Sequence, residues 1–205
     1  MKTDKGTLFV FSGPSGTGKG TILAKYFEKY TDDRLVYSIS ATTRQPRDGE
    51  VDGVNYYFKS QNEFLDMIDN DEFLEWTNFC GNYYGTPRKQ IEKLVSEGID
   101  VILEIETVGA FNIKEKCPDA VMIFVLPPSM TELKKRLKGR ATESDEVLEN
   151  RFAIAKKEIE LSQKYDYIIL NDTLTQAVKD FRTILNAQRL KTINNNKTIS
   201  EVLEK

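Results

Sequence analysis

A glycine-rich stretch that carries one lysine is the part of this chain best suited to binding phosphate. It reads GPSGTGKGT and comprises Gly13, Pro14, Ser15, Gly16, Thr17, Gly18, Lys19, Gly20 and Thr21. Glycines adopt positive φ and let successive N–H groups converge on phosphate oxygens, while Lys19 supplies a mobile positive charge. A plain turn with a solvated lysine is the alternative, but so many glycines would cost conformational entropy for a mere connection. The stretch predicts a loop for the phosphates of a nucleoside triphosphate.

The residues on either side of this loop predict a strand before it and a helix after it. Residues 7–12 are apolar and β-rich, and the apolar positions of 21–27 recur at helical spacing. Strand, glycine turn, lysine and helix is the order that a phosphate-binding loop requires. Gly20 stands where a serine or threonine usually follows the lysine, so we expect Thr21 to supply the hydroxyl.

Two arginines and three hydroxyl side chains form a second candidate anion site. They are Ser40, Arg44, Arg47, Tyr56 and Tyr84. Arginine forks match phosphate oxygens bidentately, and hydroxyls fill the remaining acceptor sites. Taken alone, the two arginines are better explained as solvated loop charges, because arginines are common in loops. The phosphate loop upstream favours a second phosphate pocket.

Glu75 and Thr86 lie among aromatic residues and suit recognition of a purine edge. A carboxylate accepts two parallel hydrogen bonds from the N1–H and 2-amino groups of guanine, and a hydroxyl donates to O6. Adenine lacks the N1 proton and would leave Glu75 unpaired, a mismatch that can reject an analogue by about 10⁴-fold. A polar position on an alternating strand is the simpler explanation of Glu75 taken alone.

Three arginines in a polar helical segment are candidates for the transfer step. Arg136, Arg140 and Arg151 surround a glycine and would neutralise charge on a transferring phosphoryl group. A solvated helical face with glutamate partners explains them as well when no other context is considered.

The composition excludes several other chemistries. The 205 residues carry a net charge of −3, which gives no electrostatic case for a nucleic-acid or acidic-membrane partner. Histidine is absent, which excludes histidine triads and histidine zinc sites. Two cysteines, Cys80 and Cys117, form no disulfide framework and suit a reducing cytosol. We therefore expect a soluble, cytoplasmic protein without a membrane span.

The remaining pattern predicts an α/β fold with a small, largely β insertion. Nearly continuous apolar runs at 100–104, 120–126 and 167–170 suit strands covered on both faces of a parallel sheet. The other predicted elements are strands at 35–40 and 56–58, a capped helix from Ser60, a hairpin of 73–79 and 82–86 joined at Gly81-Asn82, a helix after Pro87, and helices at 129–138, 145–163 and 175–190.

Taken together, these motifs resemble guanylate kinases. The matching segments are 13–21, SATTRQPR at 40–47, DGEVDG at 48–53 with Tyr56, Glu75-Trp76, GNYYGT at 81–86, PPS at 127–129, RLKGR at 136–140, Glu143 and Asn171-Asp172. They occur in consistent order over residues 6 to 190, and the tyrosine-glycine segment is specific to that family.

The resemblance implies a P-loop nucleoside-monophosphate-kinase fold, with a parallel core sheet flanked by helices. Its expected parts are a core of residues 1–36, 91–127 and 153–190, a mixed α/β GMP-binding subdomain of 37–90, a helical lid of 128–152 and a tail of 191–205. Residues 13–21 would hold the ATP phosphates, with Arg136 and Arg140 from the lid and Asn171 near the adenine. The implied GMP site is Ser40, Arg44, Arg47, Tyr56, Tyr84, Glu75, Thr86, Glu104 and Glu106. The implied catalytic residues are Lys19, Arg44, Arg136 and Arg151.

The implied reaction converts ATP and GMP to ADP and GDP, in purine nucleotide metabolism. Mg²⁺ would accompany ATP with Thr21 nearby, and we expect a monomer or homodimer whose partners are these nucleotides. A kinase for another monophosphate is a rival that should lack the Glu75/Thr86 pair. A guanylate-kinase-like interaction module is a second rival, but such modules typically have a degraded ATP loop, whereas Lys19 and its glycines are intact.

The chain departs from the family pattern at a few positions. Where an acidic-Ile-Asp-x-Gln-Gly run is usual, it has Glu104-Ile105-Glu106-Thr107-Val108-Gly109. Glu106 keeps the charge with one extra methylene, and Val108 removes an amide. Ala141 replaces a usual lid glycine, and Thr173 stands where a second aspartate is common. These departures bear on rate and fine geometry.

Overall fold

The computed structural model describes residues 5–79, 81–138 and 145–204. Among the residues singled out in the sequence, Cys80, Gly139, Arg140, Ala141 and Glu143 lie outside these ranges. The elements in chain order are β1 (Leu8–Ser12), α1 (Lys19–Lys29), β2 (Leu35–Tyr37), β3 (Ala41–Thr42), β4 (Tyr57–Phe58), α2 (Gln61–Asp69), β5 (Phe73–Phe79), β6 (Asn82–Pro87), α3 (Arg88–Ser96), β7 (Asp100–Glu104), α4 (Thr107–Lys116), β8 (Val121–Leu126), α5 (Met130–Lys138), α6 (Asp145–Leu161), β9 (Tyr167–Leu170), α7 (Leu174–Arg189) and α8 (Asn196–Leu203).

Five parallel strands form the central sheet in the order β2-β7-β1-β8-β9. Every residue of β1 is buried, as are the first four of β7 and the first five of β8, which confirms the sequence prediction for the central strands. The prediction is wrong for β9. This strand is at the edge of the sheet, and Ile168 and Leu170 are 45% and 49% exposed.

Helices cover both faces of this sheet, and alternate residues of β1 face opposite layers. Phe9 and Phe11 pack in a core with residues of α1 and α7. Leu8 and Val10 pack in a second core with residues of α3 and α4. The alternation follows from the period of two along a strand. Strand β1 is therefore fixed from both sides at the point where the glycine loop leaves it.

A four-stranded sheet in the order β4-β3-β6-β5 forms the inserted subdomain. The predicted strand at 35–40 ends at Tyr37, and Ala41–Thr42 belongs to this second sheet. The hairpin of β5 and β6 is confirmed, but Asn82 pairs with Phe79 as the first residue of β6 and so lies outside the turn. The predicted cap of α2 is also present, because Ser60 and Glu63 form a reciprocal capping box.

The predicted closing helix is α7, and the tail beyond it contains α8, in which no residue is buried. Within the described ranges, no helix is long and apolar enough to cross a membrane.

Candidate active site

The candidate site lies along the edge of the central sheet where its parallel strands end. The glycine loop follows β1, Glu104 is the last residue of β7, and Asn171 follows β9. The carboxyl ends of parallel strands meet at one edge, and the crevice there is where such sheets bind ligands. The topology thus brings together three predicted parts of the site that are far apart in sequence.

The glycine loop has a left-handed backbone at several positions and is fixed by its own hydrogen bonds. Gly13, Gly16 and Gly18 have φ of 144°, 86° and 88°. The Thr17 hydroxyl donates to the carbonyl of Pro14 over 2.8 Å. The Lys19 ammonium donates to the carbonyl of Gly13 over 2.6 Å, which keeps this charge against the loop. Because α1 begins at Lys19, its positive dipole end adds to the field that the loop presents to an anion.

Asn171, the residue that follows the edge strand β9, supports the loop. Its side-chain amide is buried and donates to the carbonyl of Thr17 over 2.7 Å. A Cβ atom at Gly18 would come within 2.5 Å of the Asn171 Nδ2 atom. Gly18 therefore meets two demands at once, a left-handed backbone and close contact with this amide. The expected position of Asn171 near an adenine stays a prediction.

One of the three candidate lid arginines reaches the glycine loop, and a second reaches Asn171 beside it. Arg151 donates to the Ser15 hydroxyl over 2.6 Å. Arg136 pairs with Glu132 over 3.1 Å and also donates to the carbonyl of Asn171 over 3.4 Å. The alternative of a solvated helical face thus accounts for only part of their contacts.

On the acceptor side, Arg44 is held by a carboxylate that the sequence reasoning did not single out. Its Nη2 atom lies 2.9 Å from both carboxylate oxygens of Glu50. The backbone N–H of Arg47 donates to the same carboxylate over 2.8 Å. This hydrogen bond, together with the Arg44 guanidinium, lowers the pKa of Glu50. Glu50 therefore joins the two predicted phosphate-binding arginines to one anion.

The predicted hydroxyl groups lie beside these arginines to different degrees. The Arg44 guanidinium lies 5.4 Å from the ring centre of Tyr56, whose ring is 6.3 Å from that of Tyr84. Ser40 is partly buried, and its carbonyl accepts from the N–H of Tyr57. The structure thus brings Arg44, Tyr56 and Tyr84 into one cluster, with Arg47 exposed at its margin.

Glu75 and Thr86 are a directly opposed pair on β5 and β6. The Thr86 hydroxyl donates to Oε1 of Glu75 over 2.6 Å, and the two residues are 0% and 4% exposed, respectively. Burial raises the pKa of Glu75, and the hydrogen bond from Thr86 only partly offsets this effect. A buried carboxylate with one described donor retains acceptor capacity for a ligand. Because Thr86 has a single hydroxyl proton, donation to a guanine O6 would require this hydroxyl to turn.

Glu104 connects the acceptor cluster to the glycine loop. Its carboxylate accepts a hydrogen bond from the Tyr37 hydroxyl over 3.1 Å. Burial is the main cause that raises the pKa of Tyr56, and the negative charge of Glu104 raises it further. On the other side, a Cβ atom at Gly20 would lie 3.4 Å from Oε2 of Glu104. One carboxylate therefore lies beside both candidate anion sites.

Glu106 lies near Lys19 of the loop and near Arg151. Partial desolvation by the surrounding protein and the charge of Glu158 raise the pKa of Glu106, although the side chain reaches solvent. The positive charges of Lys19 and Arg151 oppose this rise. Val108, which stands two residues further on where the family usually has an amide side chain, is 63% exposed.

Sequence reasoning missed Tyr37, Glu50 and Glu158 as parts of this site. Glu50 was detectable from the sequence, because it follows Arg44 and Arg47 in the same loop and a carboxylate is the natural partner of an arginine fork. Tyr37 can be identified as a neighbour of Glu104 only once the strand register is known. It pairs with Ile102, which lies two residues before Glu104 on β7. No local sequence pattern pointed to Glu158 as part of the site.

The oxygen donors beside the loop suit a magnesium ion that arrives with a nucleotide. The Thr21 side chain is exposed on the first turn of α1, and the Glu104 carboxylate lies beside Gly20. Within the described ranges, no group of three or more histidine, cysteine or acidic residues forms a metal cage. Mg²⁺ usually binds through one or two protein oxygens together with phosphates and water, and these residues fit that pattern.

Comparison with known proteins agrees with this geometry. The family model described as guanylate kinase matches residues 5–188. A guanylate kinase of Bacillus anthracis is 50% identical over 185 residues, covering 90% of each chain. One of Caldanaerobacter subterraneus is 51% identical over 191 residues, covering 93% of this chain and 92% of the relative. The crystal structure of guanylate kinase from Anaplasma phagocytophilum has a TM-score of 0.77 at 34% identity, over 94% of this chain and 90% of that one. The chain belongs to the guanylate kinase family.

Proposed function

We propose that this chain transfers the γ-phosphoryl group of ATP to GMP or dGMP, and that the residues described above carry out the transfer. The observation that supports this best is the position of Glu104 between the two candidate sites. It lies beside Gly20 on the donor side and accepts from Tyr37 at the end of β2, and its negative charge helps to raise the pKa of Tyr56 in the acceptor cluster. A transfer between two phosphates needs two anion sites that face each other at short range.

On the donor side, residues 13–21 would bind the ATP phosphates, mainly through backbone N–H groups and the Lys19 ammonium. Lys19 already lies against the loop and would exchange carbonyl oxygens for phosphate oxygens. Arg136 and Arg151 would neutralise the charge that develops on the transferring group, and Arg140 is proposed to assist them. The contact of Arg151 with Ser15 supports its assignment to this side.

On the acceptor side, Arg44, Arg47, Ser40, Tyr56 and Tyr84 would bind the GMP phosphate. The Arg44 guanidinium is already ordered by Glu50, so less side-chain entropy is lost on binding. Burial penalises the charged form, but the carboxylate of Glu50 more than compensates and raises the pKa of Arg44. Arg44 therefore remains cationic throughout the physiological range.

Guanine would be recognised by Glu75 and Thr86, with Glu104 and Glu106 beside the nucleotide. The buried Glu75 carboxylate would accept from N1–H and the 2-amino group of guanine. Adenine would leave the same carboxylate buried without these donors, which is the costly mismatch that a polar site rejects.

The transfer itself requires little covalent assistance from the protein. The acceptor is an anionic phosphate oxygen, so it needs no general base, and the absence of histidine is no obstacle. The residues described here would align the two phosphates and neutralise their charge. Mg²⁺ bound with ATP near Thr21 and Glu104 would supply further charge neutralisation when present.

Water is a competing acceptor, so the site should close before transfer. The proposed moving parts are the GMP-binding subdomain of 37–90 and the lid of 128–152, around the core of 1–36, 91–127 and 153–190. GMP and ATP analogues together should reduce the radius of gyration in small-angle scattering. An unchanged scattering curve with both ligands bound would contradict closure.

A place in purine nucleotide metabolism, a cytoplasmic location and a monomeric or homodimeric state stay predictions.

The decisive experiment measures initial rates with ATP, Mg²⁺ and a panel of GMP, dGMP, AMP, UMP and CMP. We expect turnover with GMP to exceed turnover with AMP by a factor of about 10⁴. Preference for another monophosphate would refute the assignment of Glu75 and Thr86. Lack of turnover with every member of the panel would favour an interaction module instead.

A further inference from the structure

A glycine on α4 lies directly against the Glu75 carboxylate. Gly109 is buried, and a Cβ atom placed on it would lie 2.7 Å from Oε2 and 3.2 Å from Cδ of Glu75. The other carboxylate oxygen, Oε1, accepts from Thr86 over 2.6 Å. The carboxylate is therefore confined between a hydroxyl on one side and a backbone without a side chain on the other.

The backbone at this position does not itself require glycine. Gly109 lies within α4 and is not among the described glycines with positive φ. Glycine is the poorest helix former after proline, so alanine would favour α4. What excludes a side chain is the space that Oε2 of Glu75 occupies.

We infer that Gly109 is a positioning residue for base recognition, because its missing side chain leaves the room that lets the Glu75 carboxylate lie flat against a purine edge. The inference rests on the proposed function, in which Glu75 accepts two parallel hydrogen bonds from guanine. Such bidentate contacts tolerate displacements of only about 0.5 Å before one bond is lost.

The substitution Gly109→Ala should move the carboxylate without disrupting the fold. A carboxylate is the far end of a flexible side chain, so it can shift away from the new methyl group. GMP would then lose part of a charge-assisted pair of hydrogen bonds, which corresponds to a rise in KM for GMP of about 10- to 100-fold. The KM for ATP should not change, because Gly109 lies against Glu75 on the acceptor side.

The test compares GMP with IMP, which keeps N1–H and O6 but lacks the 2-amino group. Because IMP makes one hydrogen bond fewer to Glu75, its kcat/KM should fall less than that of GMP in Gly109→Ala. The ratio of the two specificity constants is the readout, and a merely structural defect would lower both equally. Glu115→Ala, at an exposed position of the same helix, is the matched control and should leave the ratio unchanged.

A double-mutant cycle with Glu75→Gln keeps the test decisive if Gly109→Ala is less stable than expected. GMP binding is measured by calorimetry below the melting transition of every variant. If Gly109 acts through the carboxylate, its substitution should have little further effect in the Glu75→Gln background.

The possible failures are distinguishable. A wild-type chain that does not phosphorylate GMP refutes the proposed function. A wild-type chain that uses GMP, with an unchanged GMP-to-IMP ratio in Gly109→Ala or fully additive effects in the cycle, overturns the role of Gly109.

Discussion

The two candidate anion sites of this molecule are built in opposite ways. The donor site is a main-chain structure in which left-handed glycines and internal hydrogen bonds fix a loop at the end of a buried strand. The acceptor site is a side-chain structure in which arginines and tyrosines from short strands and a loop are held by Glu50.

This difference fits the ligand proposed for each site. A triphosphate presents many equivalent oxygens, which a row of backbone N–H groups and one lysine can match. A monophosphate with a specific base requires bidentate forks and a buried carboxylate, which only side chains provide. The main-chain site should therefore be sensitive to backbone changes, and the side-chain site to changes in the shape of one functional group.

The largest expected effect is loss of the loop charge. Lys19→Met keeps the length of the side chain and removes the ammonium, so kcat should fall by about 10²- to 10³-fold, as for other donors to transition-state charge. A coupled assay at saturating ATP and GMP measures this. Lys25→Met is the control, since Lys25 pairs with Glu28 on the exposed face of α1. A kcat within threefold of wild type would remove Lys19 from the transfer step.

The second prediction tests the main-chain character of the donor site. Gly18→Ala should raise the KM for ATP by about 10- to 100-fold, because a left-handed alanine costs about 1–2 kcal/mol and its methyl group displaces Asn171. Gly81→Ala is a matched control, since Gly81 has φ of 78° but no atom within 4 Å of an added Cβ. Equal effects of both variants on the KM for ATP would contradict the specific role of the Gly18–Asn171 contact.

The third prediction tests the side-chain character of the acceptor site. Arg44→Lys keeps the charge but removes the fork, so the KM for GMP should rise by about tenfold or more with the KM for ATP unchanged. Arg34→Lys, at an exposed position, is the control. If lysine substitutes fully for Arg44, the site recognises charge alone, and the contrast between the two sites weakens.

The same contrast explains which features were predictable from sequence. The glycine loop was predictable because its chemistry is contiguous in sequence and its conformation is set locally by Gly13, Gly16 and Gly18. The hairpin that carries Glu75 and Thr86 was predictable too, but their direct opposition depends on Phe79 pairing with Asn82, and the predicted turn at Gly81-Asn82 would have shifted that register.

Features that depend on tertiary placement were not predictable. A register irregularity between Phe73 and Glu75 leaves Phe73, Leu74 and Glu75 all buried, which simple alternation does not allow. The contact of Glu104 with Tyr37 depends on which strands are neighbours in the sheet. The exposure of Ile168 and Leu170 depends on β9 being an edge strand. None of these is encoded by a local pattern.

The last and smallest expected effect concerns the pH dependence of the side-chain site. Burial raises the pKa of Glu75 above its value in the unfolded chain. The folded state therefore binds this proton more tightly, so the contribution of Glu75 to stability falls as pH rises through the folded pKa. Glu75→Gln carries no such charge. Its melting temperature relative to wild type should rise from pH 4 to pH 8, and a difference that is constant with pH would contradict the burial of a titrating carboxylate.

The same ionisation should appear in nucleotide binding, with the opposite sign. Protonated Glu75 can accept fewer hydrogen bonds, so the KM of the wild type for GMP should rise as pH falls through the raised pKa. Glu75→Gln should bind GMP weakly with no such pH dependence, whereas the KM for ATP should have the same pH profile in both proteins. Because Glu106 is present in both, the difference between their GMP profiles isolates Glu75. The ionisation that destabilises the fold would then be the one that guanine binding requires.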